Sequence, residues 1–125
     1  MHPLAIRMVE SYMRRLNRVL GCVIVDGEEI SIVGGDEYGK KLERLAAIAK
    51  DVFTFIDEAF KMSTNGKPKL VLAEGYGSSV IYGRINENVF LVSFYRDMPA
   101  GTMMYETRRL VDSLREIWDR LIKHR

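Results

Sequence analysis

The chain contains no glutamine, four asparagines, three prolines and a single cysteine in 125 residues. Cys22 alone cannot close an internal disulfide, and its apolar neighbours Val23, Ile24 and Val25 fit a buried thiol in a reducing compartment, the cytoplasm. Only two histidines occur, His2 and His124, at opposite ends, and neither has a Cys or carboxylate at metal-ligand spacing. No metal and no cofactor is therefore expected. No apolar run approaches the ~20 residues of a membrane-spanning helix, so no membrane insertion is expected. The opening stretch carries Arg7, Glu10, Arg14 and Arg15, which is not the apolar centre of a signal peptide. A strong charge of either sign is missing too. Nineteen basic and 17 acidic residues leave a formal charge of +2, which demands neither nucleic acid nor an anionic surface as partner. With 47% hydrophobic residues and no low-complexity tract or internal repeat, one globular domain over residues 1–125 is expected.

What is present is a regular alternation of helix and strand signals. Leu4 to Leu20 has apolar residues at 4, 8, 12, 16, 19 and 20, which predicts a helix with one buried face, stopped by Gly21. Arg7, Arg14 and Arg18 would share its opposite side. Cys22 to Val25 and Glu29 to Val33 flank Asp26-Gly27, a hairpin signal, with Ile30 and Ile32 marking one buried face of the second strand. Gly34-Gly35-Asp36 reads as a loop with Asp36 as helix cap, followed by one long helix from Tyr38 to Met62. Asn65-Gly66-Lys67-Pro68 breaks the chain. Three strands follow, Lys69 to Glu74, Ser78 to Ile85 and Val89 to Tyr95, with gaps short enough for antiparallel neighbours. The third is apolar almost throughout, which predicts a central strand covered on both faces. A last helix from Thr102, its cap, to Lys123 buries Met104, Thr107, Val111, Leu114, Trp118, Leu121 and Ile122. The expectation is an α+β sandwich: a five-stranded antiparallel sheet with the central helix on one face and both terminal helices on the other.

A catalytic constellation is missing. Asp57 and Glu58 are adjacent on a helix, so they point ~100° apart and read as solvated charge. Gly75-Tyr76-Gly77-Ser78-Ser79 lies between strands and lacks the Gly-Lys-Ser/Thr ending of a phosphate loop. Gly34-Gly35-Asp36 lacks a dinucleotide fingerprint. No enzyme is expected. Charge is unevenly spread: four arginines (Arg7, Arg14, Arg15, Arg18) oppose Glu10 at the start, and six basic residues oppose four acidic ones over 102–125. Residues 26–74 hold seven basic and ten acidic residues, so the terminal helices are expected to form a basic face opposite a mildly acidic one. The alternative function this leaves open is binding of nucleic acid or an anionic surface through Arg7, Arg14, Arg15, Arg18, Arg108 and Arg109. No aromatic interleaving or recognition-helix motif accompanies those arginines. A third reading, a small-molecule sensor, would need a cavity beside the sheet.

The central helix carries the sharper signal. Leu42, Leu45, Ala46, Ala49, Val52, Phe53, Ile56, Ala59 and Phe60 already supply a core face. Ile48, Phe55 and Met62 form a second apolar line at seven-residue spacing, interleaved with Arg44, Asp51 and Glu58. A core face needs about three-sevenths of helix positions, so this surplus is either covered by a neighbouring loop or, as the functional reading has it, forms a self-complementary contact in which Arg44 and Asp51 pair reciprocally across a two-fold axis.

The order of elements, with specific segments, resembles the Roadblock/dynein light-chain family, within the wider longin- and profilin-like group. Leu16-Asn17-Arg18-Val19-Leu20-Gly21-Cys22-Val23-Ile24-Val25-Asp26-Gly27 is similar to the family's opening helix end, glycine, strand and turn. Leu42 to Phe60 resembles its Leu/Ala-rich central helix. Val89-Phe90-Leu91-Val92, then Gly101 and Tyr105-Glu106-Thr107-Arg108-Arg109-Leu110, resemble its last strand, glycine and closing helix. Asp97-Met98-Pro99-Ala100 and the tight turn at Gly75 to Gly77 depart from it and leave the subfamily open. The resemblance implies a non-catalytic homodimer that packs central helices together and pairs third strands edge to edge. Mapped here, the interface would comprise Arg44, Ile48, Asp51, Phe55 and Met62 with Leu70, Val71, Leu72 and Ala73. The resemblance further implies a scaffold or regulator of a small Ras-like GTPase, other members joining motor complexes, with no nucleotide bound by the domain itself.

Overall fold

A computed structural model describes residues 2–63 and 66–122, the last two by backbone alone. Along the chain run helix α1 (Pro3–Arg15), strands β1 (Val19–Asp26) and β2 (Glu29–Gly34), and helices α2 (Gly39–Ala47) and α3 (Ala49–Ser63). Strands β3 (Leu70–Glu74), β4 (Ser79–Asn86) and β5 (Val89–Tyr95) and helix α4 (Ala100–Ile117) complete it. All strand pairs are antiparallel, in the order β2-β1-β5-β4-β3, which leaves β2 and β3 as the free edges.

The sheet divides two cores. Ala5, Val9 and Tyr12 of α1, Leu16 just past its end, and Met103, Val111 and Leu114 of α4 pack on Cys22, Ile24, Ile81 and Leu91. On the other face, Leu42, Ala46, Ala49 and Phe53 cover Val23, Tyr82, Phe90 and Val92. Alternate residues of β5 enter different cores, so every residue from Val89 to Tyr95 is buried, as its apolar run predicts. Gly83 lets α4 lie close: a Cβ there would stand 2.5 Å from the Val111 Cγ2.

Several boundaries differ from the periodic reading. Helix α1 ends at Arg15, and the chain is already extended at Val19, so Gly21 lies inside β1 and does not stop a helix. Packing wins here over helical spacing. A Cβ on Gly21 would stand 2.7 Å from a Leu42 side-chain carbon, so the glycine serves as the seat for α2. The buried stripe of α1 is 5, 9 and 12, followed by buried Leu16 just past its end, with Leu4 at the exposed rim. Strand β2 feeds both cores, Ile32 one and Val33 the other, while Ile30 is exposed at the free edge. Asp36 does not cap a helix. Gly35, at φ +88°, leads into a 3-10 turn over Asp36–Tyr38, and a side chain at Gly35 would meet the Leu20 carbonyl. Thr102 is likewise not a cap: α4 already begins at Ala100, behind Pro99.

The long central helix is two helices. The backbone leaves helical geometry at Ile48 (φ −99°, ψ 2°), and α3 resumes at Ala49. Beyond α4 the chain winds into a wider π turn over Trp118–Ile122; the expected end at Lys123, the apolar contributions of Leu121 and Ile122, and the turn residue Asn65 lie outside the described residues or side chains. Met103, Leu110 and Ile117 join the buried face of α4 although the expected apolar face omits them.

Candidate interaction surface

The apolar line on the central helices is exposed. Ile48 is 48% accessible, Phe55 76% and Met62 90%, against 1% for Phe53. Helical geometry explains the contrast: Phe55 lies about 200° round the axis from Phe53, so burying one turns the other away from the sheet. Arg44 and Asp51 are exposed beside the line, and neither takes part in an ion pair among the described residues. Strand β3 brings its own opening. Leu70, Val71 and Leu72 are half-buried, Ala73 is exposed, and among the described residues only β4 pairs with the strand.

Which backbone groups of β3 are free follows from the ladder. The Arg84 N–H donates to the Lys69 carbonyl (2.8 Å), and the Gly75 N–H donates to the Ser78 carbonyl (3.0 Å). In an antiparallel pair, alternate residues exchange bonds with one neighbour and direct theirs away at the positions between. Lys69, Val71, Ala73 and Gly75 therefore face β4, and Leu70, Leu72 and Glu74 direct their N–H and C=O groups outward.

Of the six arginines of the alternative reading, Arg15 and Arg109 are brought to one acid and Arg18 is set off the helices. Arg7, Arg14 and Arg15 lie exposed on α1, and Arg108 and Arg109 on α4. Arg18 lies off the helix, in the turn before β1, 3.9 Å from Asp97. Arg15 and Arg109 both reach Glu106, at 3.0 and 3.8 Å. The expected contrast between faces also weakens. Between Gly39 and Ser63 there are five basic and four acidic residues, while Asp26, Glu28, Glu29, Asp36 and Glu37 sit in β1, β2 and their turns. The acidity of residues 26–74 thus gathers at one edge of the sheet and not over the helical face.

Polar clusters inside the protein are sealed. The Tyr12 hydroxyl lies 2.8 Å from Ser93 Oγ and 2.9 Å from Thr107 Oγ1, tying α1 to β5 and α4, and Cys22 Sγ donates to Ser93 Oγ at 3.7 Å. All four residues are fully buried, and burial pushes the Cys22 thiol up to about 12 and raises Tyr12 well above an ordinary phenol. Such groups stay protonated and cannot meet a substrate; they lock the helices in place. Asp57 is not the solvated acid its neighbour Glu58 implies. Its Oδ1 accepts from Arg84 Nη2 at 2.7 Å, and Arg84, 6% accessible as a residue, holds its guanidinium 4.6 Å over the Phe53 ring. Sequence offers little signal for that pair, because an arginine in a strand ordinarily reads as solvent-facing.

Clefts occur at the surface. One of about 310 Å³ lies between α2 and the β3–β4 turn, floored by Leu45, Val80 and Phe94, and Lys41 stands 5.0 Å over the Phe94 ring. Another, of about 430 Å³, is lined by polar groups of α3 with Gly66 and Lys67. Among the described residues no group of three or more His, Cys, Asp or Glu side chains could hold a metal. Among them, too, no helix is long and apolar enough to cross a membrane.

No protein-family model matches the chain, and no curated protein matches it in sequence. Solved structures do match in shape. Myxococcus xanthus MglB superimposes with a TM-score of 0.81 at 16% identity, over 95% of this chain and 98% of that one. A Roadblock/LC7 domain from Streptomyces avermitilis gives 0.69 at 16% identity, over 88% and 93%. An MglB described with a tetrameric arrangement gives 0.71 at 14% identity, over 90% and 86%. Identity this low speaks for shape alone, and on that ground the chain has the Roadblock/LC7 fold.

Proposed function

We propose that this protein is a non-catalytic, homodimeric interaction module that scaffolds or regulates a small Ras-like GTPase in the cytoplasm. One observation carries the dimer: Ile48 at the helix break and Phe55 and Met62 on α3 stand exposed at seven-residue spacing, in a chain whose β3 edge is also free among the described residues. Isolated exposed apolar residues are ordinary, but a row of large ones on one element marks a contact surface. A second copy would cover that row by antiparallel packing of the helices, with Arg44 and Asp51 pairing across the axis, and would continue the sheet through β3. A relative of the same fold with a tetrameric arrangement supports self-association of this fold in general terms. The GTPase partner rests on the resemblance of the sequence to Roadblock domains, and the shared fold supports it.

Light scattering on the wild type and on Phe55→Asp tests the dimer. Wild type is expected at twice the chain mass, and the variant at the chain mass with an unchanged circular dichroism spectrum, because Phe55 contributes little to its own core. A monomeric wild type overturns the dimer. Titration against Ras-like GTPases from the same organism, loaded with GTP or GDP, tests the partner. Absence of both binding and any change in hydrolysis rejects it.

A further inference from the structure

The two ends of β3 differ in charge. At its start, Lys67, Lys69 and Arg115 line a cleft of about 370 Å³ together with Asn86 and Glu87. Arg115 donates through Nε to the Ile85 carbonyl (2.8 Å) and through Nη2 to the Arg84 carbonyl (3.2 Å), so main-chain oxygens hold its guanidinium and no carboxylate among the described residues neutralises it. Lys67 reaches Glu87 at 3.1 Å, and Lys69 reaches Asp112 of α4 at 2.9 Å. At the other end Glu74 is exposed and has no cationic partner among the described residues. Leu70 and Leu72 pack on the core beneath α4. Glu74, two residues on, projects from that same side of the sheet, the side from which Lys69 meets α4.

We infer that a second copy of this chain pairs along β3 in the register centred on Leu72, and that its Glu74 carboxylate seats beside Lys69 at the basic cleft. This rests on the dimer reading above and specifies its alignment. A two-fold axis through an antiparallel ladder makes one residue its own partner. Centred on Leu72, the ladder sets Leu70 opposite the second copy's Glu74, and every outward N–H and C=O of Leu70, Leu72 and Glu74 finds a partner. Centred on Val71, it sets Glu74 against Pro68, which has no N–H to give. Centred on Ala73, it sets Leu70 against Tyr76, which lies in the turn beyond the strand. The Leu72 register is thus the one of the three that leaves no outward N–H or C=O of Leu70, Leu72 and Glu74 unpaired, and it is also the one that brings the acid of each copy to the cations of the other. Asp112 and Glu87 flank the same place, and Lys67, Lys69 and Arg115 outnumber them.

Charge exchange in the full chain tests the register. Glu74→Lys and Lys69→Glu, each alone, place like charges at two symmetric points and are expected to weaken self-association about tenfold or more. In an equimolar mixture of the two variants, a heterodimer again sets a cation against a carboxylate at both points. The mixture is expected to recover dimers at wild-type concentrations, mostly heterodimers by native mass spectrometry. A wild type that dimerises while both variants associate as tightly as it does, or a mixture with no preference for heterodimers, overturns the register and leaves the dimer standing. A wild type that stays monomeric overturns both. Cys22 is fully buried and does not complicate the assay with disulfides.

Discussion

Replacing Tyr12 with phenylalanine removes one oxygen atom from the centre of the α1–α4 core and leaves the packing volume almost unchanged. The hydroxyl now lies 2.8 Å from Ser93 Oγ and 2.9 Å from Thr107 Oγ1, with all three residues fully buried. Thr107 sits in a helix and can turn its hydroxyl to the carbonyl four residues before it. Ser93 is in the central strand and keeps only the long contact with Cys22 Sγ, 3.7 Å. One buried hydroxyl is therefore left nearly without a partner, at a cost of about 1–3 kcal/mol. Urea unfolding followed by circular dichroism, at one fixed protein concentration, reads this directly. With m near ~2 kcal/mol/M, the midpoint is expected to fall by roughly 1 M with m unchanged. Tyr82→Phe is the matched control, since its hydroxyl donates to the Leu45 carbonyl at 3.2 Å in a part-buried setting, and about 1 kcal/mol or less is expected there. A Tyr12→Phe loss below ~0.5 kcal/mol, or one no larger than that of Tyr82→Phe, refutes the claim that this network holds α1 in place.

Two further perturbations follow from buried groups. Asp57→Ala strands the Arg84 guanidinium beneath α3 and is expected to cost about 3–5 kcal/mol in urea unfolding, against well under half of that for Asp57→Asn, which still offers an oxygen; equal losses would place the stabilisation elsewhere. Stability should also fall in alkali. Cys22 holds its proton to about pH 12 in the folded state, against 9.0 for an unperturbed thiol, so the unfolded chain alone releases it in between. The contribution is fully present below pH 9, and each unit above that removes up to about 1.4 kcal/mol for this group, Tyr12 adding its share at higher pH. Cys22→Ala should flatten the pH 9–10 part of the profile, and an unchanged slope counts against a buried thiol.

The strands after residue 68 were legible because their signals are local. Glycine and asparagine turns bound short β-branched and aromatic runs, and β5 lands on Val89–Tyr95 as its unbroken apolar pattern implies. The surplus line on the central helix was legible for a similar reason, since seven-residue spacing sets Ile48, Phe55 and Met62 off the core stripe, and all three are exposed. Helix ends were not. Apolar residues at 16, 19 and 20 continue a helical spacing, but Val19 enters β1 because its ladder partner Tyr95 lies 76 residues away, and no window of local sequence contains that contact. The Arg84–Asp57 pair and the Tyr12–Ser93–Thr107 junction escaped for the same reason, joining residues 27, 81 and 95 positions apart.

Sequence by itself determined the order of elements, the sandwich of helices around an antiparallel sheet, and the existence of more apolar helix surface than one sheet can cover. Periodicity encodes which face of an element is dry, and composition encodes how much dry surface there is. Tertiary structure alone decided where α1 yields to β1, that the central helix breaks, which arginine is buried, and which backbone groups of β3 face outward. The last of these turned an exposed edge into a specific alignment. Hydrogen-bond direction alternates along a strand, and its phase is set by the neighbouring strand and not by the residues of β3 themselves.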